Sequence, residues 1–481
     1  MANLTKNIDY EPVIGLEVHA QLMTRSKIFS GDSAHFSQFP NQHISLISLA
    51  HPGAMPKLNE RVLQLAARMG IACGSKIATL TTFDRKNYFY PDLPKGYQIT
   101  QNQHPICSAG AVKIKNGKIV ELDHVHLEED AGKSIHDDQS DVSKIDFNRA
   151  GVPLIEIVTT PCMHTAEDAA QFLTEVRKLV RFLEICDGNM EEGSLRADAN
   201  VSVRIKGETT LGKKVEIKNM NSIRNVKAAI EAEVKRQIEL INAGQSVVSE
   251  TRLFDLETNQ TVAMRKKEEL NDYRYFPDPD LCQFHLSDSW LADVKANMPR
   301  LSSDYEKLFV SEYALPEYDA QVLSSEKEIA DYFLTVCEHT NLYKAASNWI
   351  MGPVKNYLNQ HPDSGIPVDA EKLASLLKLI ELGRVNYTQA AQKLFPALIS
   401  EPDKAPEVLL KKLGLGAMQN DSELELVIDE VIRIFPLKVE EYHNGKKAIL
   451  TMFMGEVMKR TKGKADPARA NEMLIKKLSV K

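Results

Sequence analysis

No stretch of this 481-residue chain approaches the about 18 uninterrupted apolar residues of a membrane-spanning helix. The segment from Met1 to Pro12 has no cationic start followed by an apolar run and no Arg-rich amphipathic pattern. The expectation is therefore a protein without membrane association or targeting segment, located in the cytoplasm. Cysteine is sparse. Cys73, Cys107, Cys162, Cys186, Cys282 and Cys337 lie at least 24 residues apart, which excludes a CxxC metal or redox motif. Scattered thiols in a chain this long point to free cysteines in a reducing compartment rather than to a disulfide framework. A phosphate-binding loop is also missing. Ala131–Ser134 (AGKS) imitates one, but the required glycine five positions ahead of the Gly-Lys pair is Leu127. No GxGxxG follows a strand either, so any nucleotide is held by other means. Finally, 59 basic against 66 acidic residues leave −7, so the chain as a whole has no obvious affinity for a polyanion.

What is present is a globular composition, 43% hydrophobic and 26% charged, at a length that suggests about two to four domains. The charge is unevenly spread. Residues 446–481 hold ten Lys/Arg against three Asp/Glu, a local +7 on a body of −14. A basic tail on an acidic body marks a separate module that meets a polyanion.

The first part alternates short strands with helices. Val13–Leu22 sets Leu16, Val18, Ala20 and Leu22 on one face and Glu17, His19 and Gln21 on the other. Further strands are expected at Lys118–Leu122, His124–Glu129, Leu154–Thr159, Asn200–Ile205 and Lys214–Lys218. Helices between them carry start and stop signals: Asn59 ahead of Val62–Met69 with Gly74 behind, Thr165 with Asp168 ahead of Leu173–Leu183 with Gly188 behind, and Ser222–Ala243 closed by Gly244. After about Met298 only amphipathic helices are expected, at Glu328–His339, Tyr343–Asn359, Ala370–Leu382 and Thr388–Leu394. A Pro-marked joint at Glu401–Pro406 introduces the last helical segment. The fold class is α+β. A mixed or antiparallel sheet with flanking helices forms residues 1–295, an all-α domain 296–405, and a small all-α tail 406–481.

The chemistry is expected where carboxylates interrupt apolar strands. In Pro153–Val158 (PLIEIV), Glu156 sits among Leu154, Ile155, Ile157 and Val158. A lone carboxylate buried there costs several kcal/mol, on the order of a lost ion pair, unless it is paired, hydrogen-bonded or metal-bound. Glu17 and His19 have the i, i+2 spacing that aims both off one strand face, and Glu128, Glu129 and Asp130 end a third strand. Taken singly, each has a plain alternative: a solvated face for Glu17, a buried Arg partner for Glu156. Taken together, they supply hard oxygen donors and an imidazole suited to Mg²⁺ or Mn²⁺ in phosphate chemistry. Aromatic and basic residues interleave in Asp84–Thr100 and Met264–Asp280. These are either stacking and phosphate-binding surfaces or Pro-bounded loops over the core. In Lys446–Lys464 an apolar stripe (Ile449, Met452, Phe453, Val457) precedes Lys459, Arg460, Lys462 and Lys464, a phosphate-backbone grip.

Seven ordered blocks then carry a resemblance: VIGLEVHAQL (13–22), FDRKNYFYPDLPKGYQIT (83–100), LEEDAGKS (127–134), DFNRAGVPLIEIV (146–158), MEEGSLRADANVSV (190–203), EIKNMNS (216–222) and DYRYFPDPDL (272–281). The chain resembles the B subunits of the aspartyl/glutamyl-tRNA(Asn/Gln) amidotransferases over nearly its whole length. The resemblance implies an enzyme subunit whose cradle-like body activates the side chain of Glu-tRNA(Gln) or Asp-tRNA(Asn) with ATP, giving an acyl phosphate. Ammonia from an amidase (glutaminase) partner then displaces the phosphate, while helical domains hold the tRNA and a small third subunit completes a heterotrimer. It also implies that Glu17, His19, Glu129 and Glu156 are catalytic metal ligands for Mg²⁺. Lys86, Tyr88, Lys95 and Arg274, from the aromatic-basic loops, are expected to face ATP or the tRNA acceptor end. One departure stands out: the four cysteines of the family's zinc site are replaced here by Ser30, Asp32, Ser45 and Ser48, which cannot form a thiolate tetrahedron, so no structural zinc is expected. No amidase-type Ser/Lys segment is present, so the chain does not release ammonia by itself. A non-catalytic tRNA-binding scaffold is the main rival reading, and an unrelated metal-dependent hydrolase a more distant one. The intact ionisable set argues against the first, and the tail and seven blocks against the second.

Overall fold

The structure, a computed structural model, describes residues 9–136, 142–266, 273–362, 364–415, 421–461 and 463–479. Lys462 and residues 267–272 of the second aromatic-basic loop lie outside them. Two compact units result, Met1–Leu301 and Ser302–Lys481. The architecture is α+β.

Five strands form the centre of the first unit: β1 (Tyr10–Gln21), β2 (Ile119–Glu129), β3 (Pro153–Thr159), β4 (Leu195–Ile205) and β5 (Val215–Lys218). They pair antiparallel in the order β5-β4-β1-β3-β2 within a sheet of 13 described strands. A parallel step joins β5 to Glu250–Asp255, and the opposite side continues through Tyr97–Thr100 and Asp84–Asn87 to Phe276–Pro277. The two strands expected at Lys118–Leu122 and His124–Glu129 are one continuous strand, β2. It keeps its β3 partner across an irregularity at Val158/Thr159.

Alternation divides the sheet into two faces. Leu16, Val18 and Ala20 of β1, Val125 and Leu127 of β2, Ile155 and Ile157 of β3, Ala197, Ala199 and Val201 of β4, and Ile217 of β5 belong to one fully buried core. Three helices close over it: α1 (Glu60–Ala72) with Val62, Leu65 and Met69, α2 (Ala166–Phe182) with Phe172, Leu173 and Val176, and α3 (Ile223–Asn242) with Val226, Ala229 and Ile230. Their caps act as read: Asn59, Thr165 and Ser222 each accept a first-turn backbone N–H. Gly70 sits mid-helix in α1 because a Cβ there would collide with the Cys107 sulfur, so the helix packs closer to the sheet than any side chain allows. All six cysteines are free, with Cys73, Cys107 and Cys186 buried.

In the second unit, the helix expected at Tyr343–Asn359 is interrupted by a π-helical turn, Ile350–Val354, at Pro353. Proline has no N–H to give the regular ladder, and the wider turn absorbs the loss. The helix expected at Thr388–Leu394 likewise passes through a π-turn, Ala390–Leu394, before Phe395–Ser400. The tail helices Asp421–Ile434, Ile449–Arg460 and Pro467–Ser479 share a small core of Ile428, Phe453, Val457 and Leu474. Asn386 donates to the carbonyls of Gly463 and Ala465, tying that core to the preceding helices.

Candidate active site on the polar face of the sheet

Opposite the core, five strands present polar side chains: Glu17 and His19 from β1, His126 and Glu128 from β2, Glu156 from β3, Arg196, Asp198 and Asn200 from β4, and Glu216 and Lys218 from β5. Register brings the chemistry together. His19 is directly across from Glu156, which is directly across from His126 on its other side, and Glu17 is across from Asp198. His19 Nε2 lies 3.4 Å from Glu156 Oε2 and 3.7 Å from Glu128 Oε1. His19, Glu128 and Glu156 can therefore close on one divalent ion, and Glu17, Asp198 and Glu216 form a second triad beside them. Lys218 already neutralises the second triad, with its ammonium 2.7 Å from Asp198 and 3.1 Å from Glu216. Of the expected ligands, Glu17, His19 and Glu156 share this face. Glu129 does not join them. As the neighbour of Glu128 in β2 it points the other way, where its carboxylate pairs with Lys95 and accepts the Ile99 N–H at 2.8 Å. Glu128 is the β2 carboxylate that lies on this face, beside His19 and Glu156.

The electrostatics follow from burial and proximity. Burial opposes the charged form of His19, but the hydrogen bond and charge of Glu156, with Glu128 and Asp198 behind, outweigh it and lift the imidazole to about 9. Burial would likewise raise Glu156, yet His19, His126 and Lys86 hold it well below the usual carboxylate range. Glu17 is pushed up, first by burial and then by the charge of Glu156, against the hydrogen bond from Asn200. Two acids on one face thus have opposite tendencies, the pattern that separates metal-holding from proton-holding roles.

A cavity of about 260 Å³ adjoins this face, lined among others by Lys27, Arg85, Lys95, Tyr97, Glu129 and Asp130. Asp130 is the link: it accepts from Gln21 and from Arg196 of the polar face, at 3.0 and 2.9 Å. Lys86 stands nearby with its ammonium 4.9 Å from the Tyr273 ring and 5.9 Å from that of Tyr88. Arg85, 4.2 Å over the Tyr97 ring, is held by Asp278 and Asp280. Arg274 is exposed and left-handed (φ 47°), its carbonyl accepting from the Asn87 side chain. The two aromatic-basic loops are therefore neighbours, which their separation in sequence hides.

Where the resemblance leads one to expect cysteines, the hydroxyls of Ser30, Ser45 and Ser48 all donate to one Asp32 oxygen. Three hydroxyls already engaged by a carboxylate do not fit a zinc ion, which takes thiolate, imidazole or free carboxylate. Burial drops the neighbouring Lys27 to about 8, against the charges of Asp32, Asp146 and Glu129. In the tail, Lys459 and Lys464 are both exposed. Arg460 is held by Glu430 at 2.8 Å and Glu456 at 3.4 Å. Among the described residues no helix is long and apolar enough to cross a membrane.

Two family models match the chain: residues 12–292 match the GatB/GatE catalytic domain and residues 331–478 the GatB domain. The B subunit of the aspartyl/glutamyl-tRNA(Asn/Gln) amidotransferase of Trichlorobacter lovleyi is 47% identical over 98% of this chain and 99% of its own length. Those of Thermoanaerobacter sp. (strain X514) and Nitrosococcus oceani are 45% and 44% identical, again over 98% of this chain. The chain belongs to this family, the B subunits of aspartyl/glutamyl-tRNA(Asn/Gln) amidotransferases.

The expectations name none of His126, Asp198 and Glu216, and the strand pattern as read does not choose between Glu128 and Glu129, although alternation carries the signal: apolar Val125 and Leu127 assign His126 and Glu128 to the other face. Because His19 is raised in the fold from its ordinary value, its stabilising contribution is complete below pH 6.5 and disappears as pH climbs towards about 9. Unfolding by denaturant in chelator should lose on the order of 2 kcal/mol over that window, and His19→Gln should flatten the dependence. An unaltered slope in His19→Gln would contradict the assignment.

Proposed function

We propose that this chain is the kinase and transamidase subunit of a tRNA-dependent amidotransferase, acting on Glu-tRNA(Gln), Asp-tRNA(Asn) or both. The observation that carries the reading is the convergence of His19, Glu128 and Glu156, with Glu17 alongside, on a sheet face next to a cavity lined by three cations and three carboxylates. Family membership supplies the substrate class. The substrate carboxylate attacks the terminal phosphate of ATP, the bond to ADP breaks, and an acyl phosphate forms. Ammonia then attacks the acyl carbon, inorganic phosphate leaves, and the amide remains on the tRNA. The ammonia comes from glutamine hydrolysed on an amidase partner and travels to this site inside a heterotrimer with a small third subunit.

His19, Glu128, Glu156 and Glu17 would hold a divalent ion of the Mg²⁺ type, which would supply neutralisation of phosphate charge. Lys86, Lys95 and Arg85 set positive charge against the triphosphate and the tRNA end, and Tyr88 and Arg274 belong to the same rim. Glu129 holds Lys95 in the cavity rather than holding the ion. No structural zinc is needed, since Asp32 gathers the loop that thiolates would otherwise staple. Functionally the chain has three modules: the sheet body to about 295, a helical connector to about 405, and a tRNA-gripping tail. A scaffold without chemistry would gain nothing from ionisable groups on a largely buried face, which favours the enzymatic reading.

Two experiments test this. Combined with its amidase and small subunits, misacylated tRNA, ATP, Mg²⁺ and glutamine, the wild-type chain should form Gln-tRNA or Asn-tRNA. Glu156→Gln should lower the rate by at least about 100-fold, a loss of roughly 2.7 kcal/mol in transition-state stabilisation, and equal rates would refute the site. In the tail, Lys459→Glu with Lys464→Glu should weaken tRNA binding several-fold and reduce its salt dependence by about one charge for each phosphate interaction removed. Unchanged affinity at every salt concentration would remove the tail from the tRNA interface.

A further inference from the structure

One carboxylate oxygen gathers the irregular segment between β1 and α1. Asp32 Oδ2 accepts the hydroxyls of Ser30 at 2.9 Å, of Ser45 at 2.8 Å and of Ser48. Burial would raise this carboxyl, yet the hydroxyls of Ser48, Ser45 and Ser30, with the charge of Lys27, hold it below its usual range. An ionised carboxylate only accepts, so each hydroxyl spends its single proton on it. The segment is therefore drawn together by a negative hub with three donors, the reverse of a metal ion surrounded by thiolates.

Beside the hub lies a buried cation. Lys27 is 1% exposed, and its ammonium donates to the carbonyls of His43 at 2.7 Å and Phe147 at 3.2 Å and reaches Ser48 Oγ at 3.5 Å. An ammonium has three protons, and three acceptors surround this one. Lys27 lines the cavity, but its protons are already given to the wall. Ser48 joins the two charges, donating to Asp32 while turning a lone pair to Lys27. Two stretches of the wall are tied in this way: Ser30, Ile47 and Ser48 line the cavity from one, and Ala150 and Gly151, just after Phe147, from the other. A zinc ion does not suit this arrangement. It would have to break three hydrogen bonds, take neutral hydroxyls as ligands and bring two positive charges close to the Lys27 ammonium.

We propose that Asp32 and Lys27 form a metal-free cross-link that positions the part of the cavity wall built from residues 30–56, in place of a bound ion. This cross-link is independent of any ion on the polar face and of what the cavity binds.

Hydrogen exchange of the full-length chain tests it. In Asp32→Ala the amides of His43, Leu49 and His51, bonded to Asn148, Ser45 and Leu46, should exchange at least about 10-fold faster, while those of α1 and α2 keep their rates. Ser45→Ala removes a single donor and should shift the same amides by a smaller factor, which decides the matter should Asp32→Ala fold poorly. Lys27→Met combined with Asp32→Ala should accelerate them by less than the product of the two single factors, because the two side chains act as one unit. Replacing Ser30, Asp32, Ser45 and Ser48 together by cysteine should let the chain take up one zinc ion and regain the lost protection when zinc is added, since the four side chains converge. Stoichiometric zinc in the wild-type chain, or wild-type exchange that a chelator accelerates, would overturn the metal-free cross-link. So would unchanged exchange in Asp32→Ala and Ser45→Ala, uniform acceleration of the whole first unit, a double variant that reaches the full product, or a folded four-cysteine variant that takes up no zinc.

Discussion

Everything in the catalytic body depends on the pairing of β1 with β3, which sets His19 against Glu156. Side chains alternate with a period of two, so a slip of one residue would bury Glu156 in the hydrophobic core and push Ile157 onto the polar face. The cost of that slip, several apolar side chains exposed and a carboxylate desolvated, amounts to roughly 10 kcal/mol or more. The hydrophobic core beneath the sheet therefore selects the geometry of the site above it, and helices α1 to α3 act on the chemistry by fixing which residues can face it.

On that face, ionisable groups fall into two neighbouring sets. The acids and imidazoles of β1, β2 and β3 form one, and Lys27, Arg85 and Lys95 with Glu129, Asp130 and Asp280 line the adjoining cavity. Adjacent residues of a single strand serve both: Glu128 turns to the first and Glu129 to the second, with Asp130 bridging back to Arg196. Strand alternation thus lets three consecutive acids hold different positions in one site. Acidic body and basic tail also explain why the net charge of −7 says so little: the sum cancels a local +7 in residues 446–481 against −14 in the rest of the chain.

Much of this was legible in the sequence. Local signals located α1, α2 and α3 to within a residue or two, because Asn59, Thr165 and Ser222 satisfy first-turn N–H groups by short-range bonds. The polar side of β1 and the anomaly of Glu156 were legible for the same reason, since alternation is local. Register was not. It joins residues as far apart as His19 and Glu156, and it decides which acids meet. The choice between Glu128 and Glu129 lay in between: family likeness pointed to Glu129, while the parity of Val125 and Leu127 already put Glu128 with His126. The π-turn at Pro353 was hidden because the hydrophobic pattern runs through it undisturbed.

The central claim is that one ion site is built across β1, β2 and β3. Anomalous scattering from crystals of the chain soaked in Mn²⁺ tests it most directly. The account predicts the strongest peak within coordination distance of His19 Nε2, Glu128 and Glu156. A strongest peak at Glu129 in the neighbouring cavity, or at Asp198 and Glu216, would contradict it.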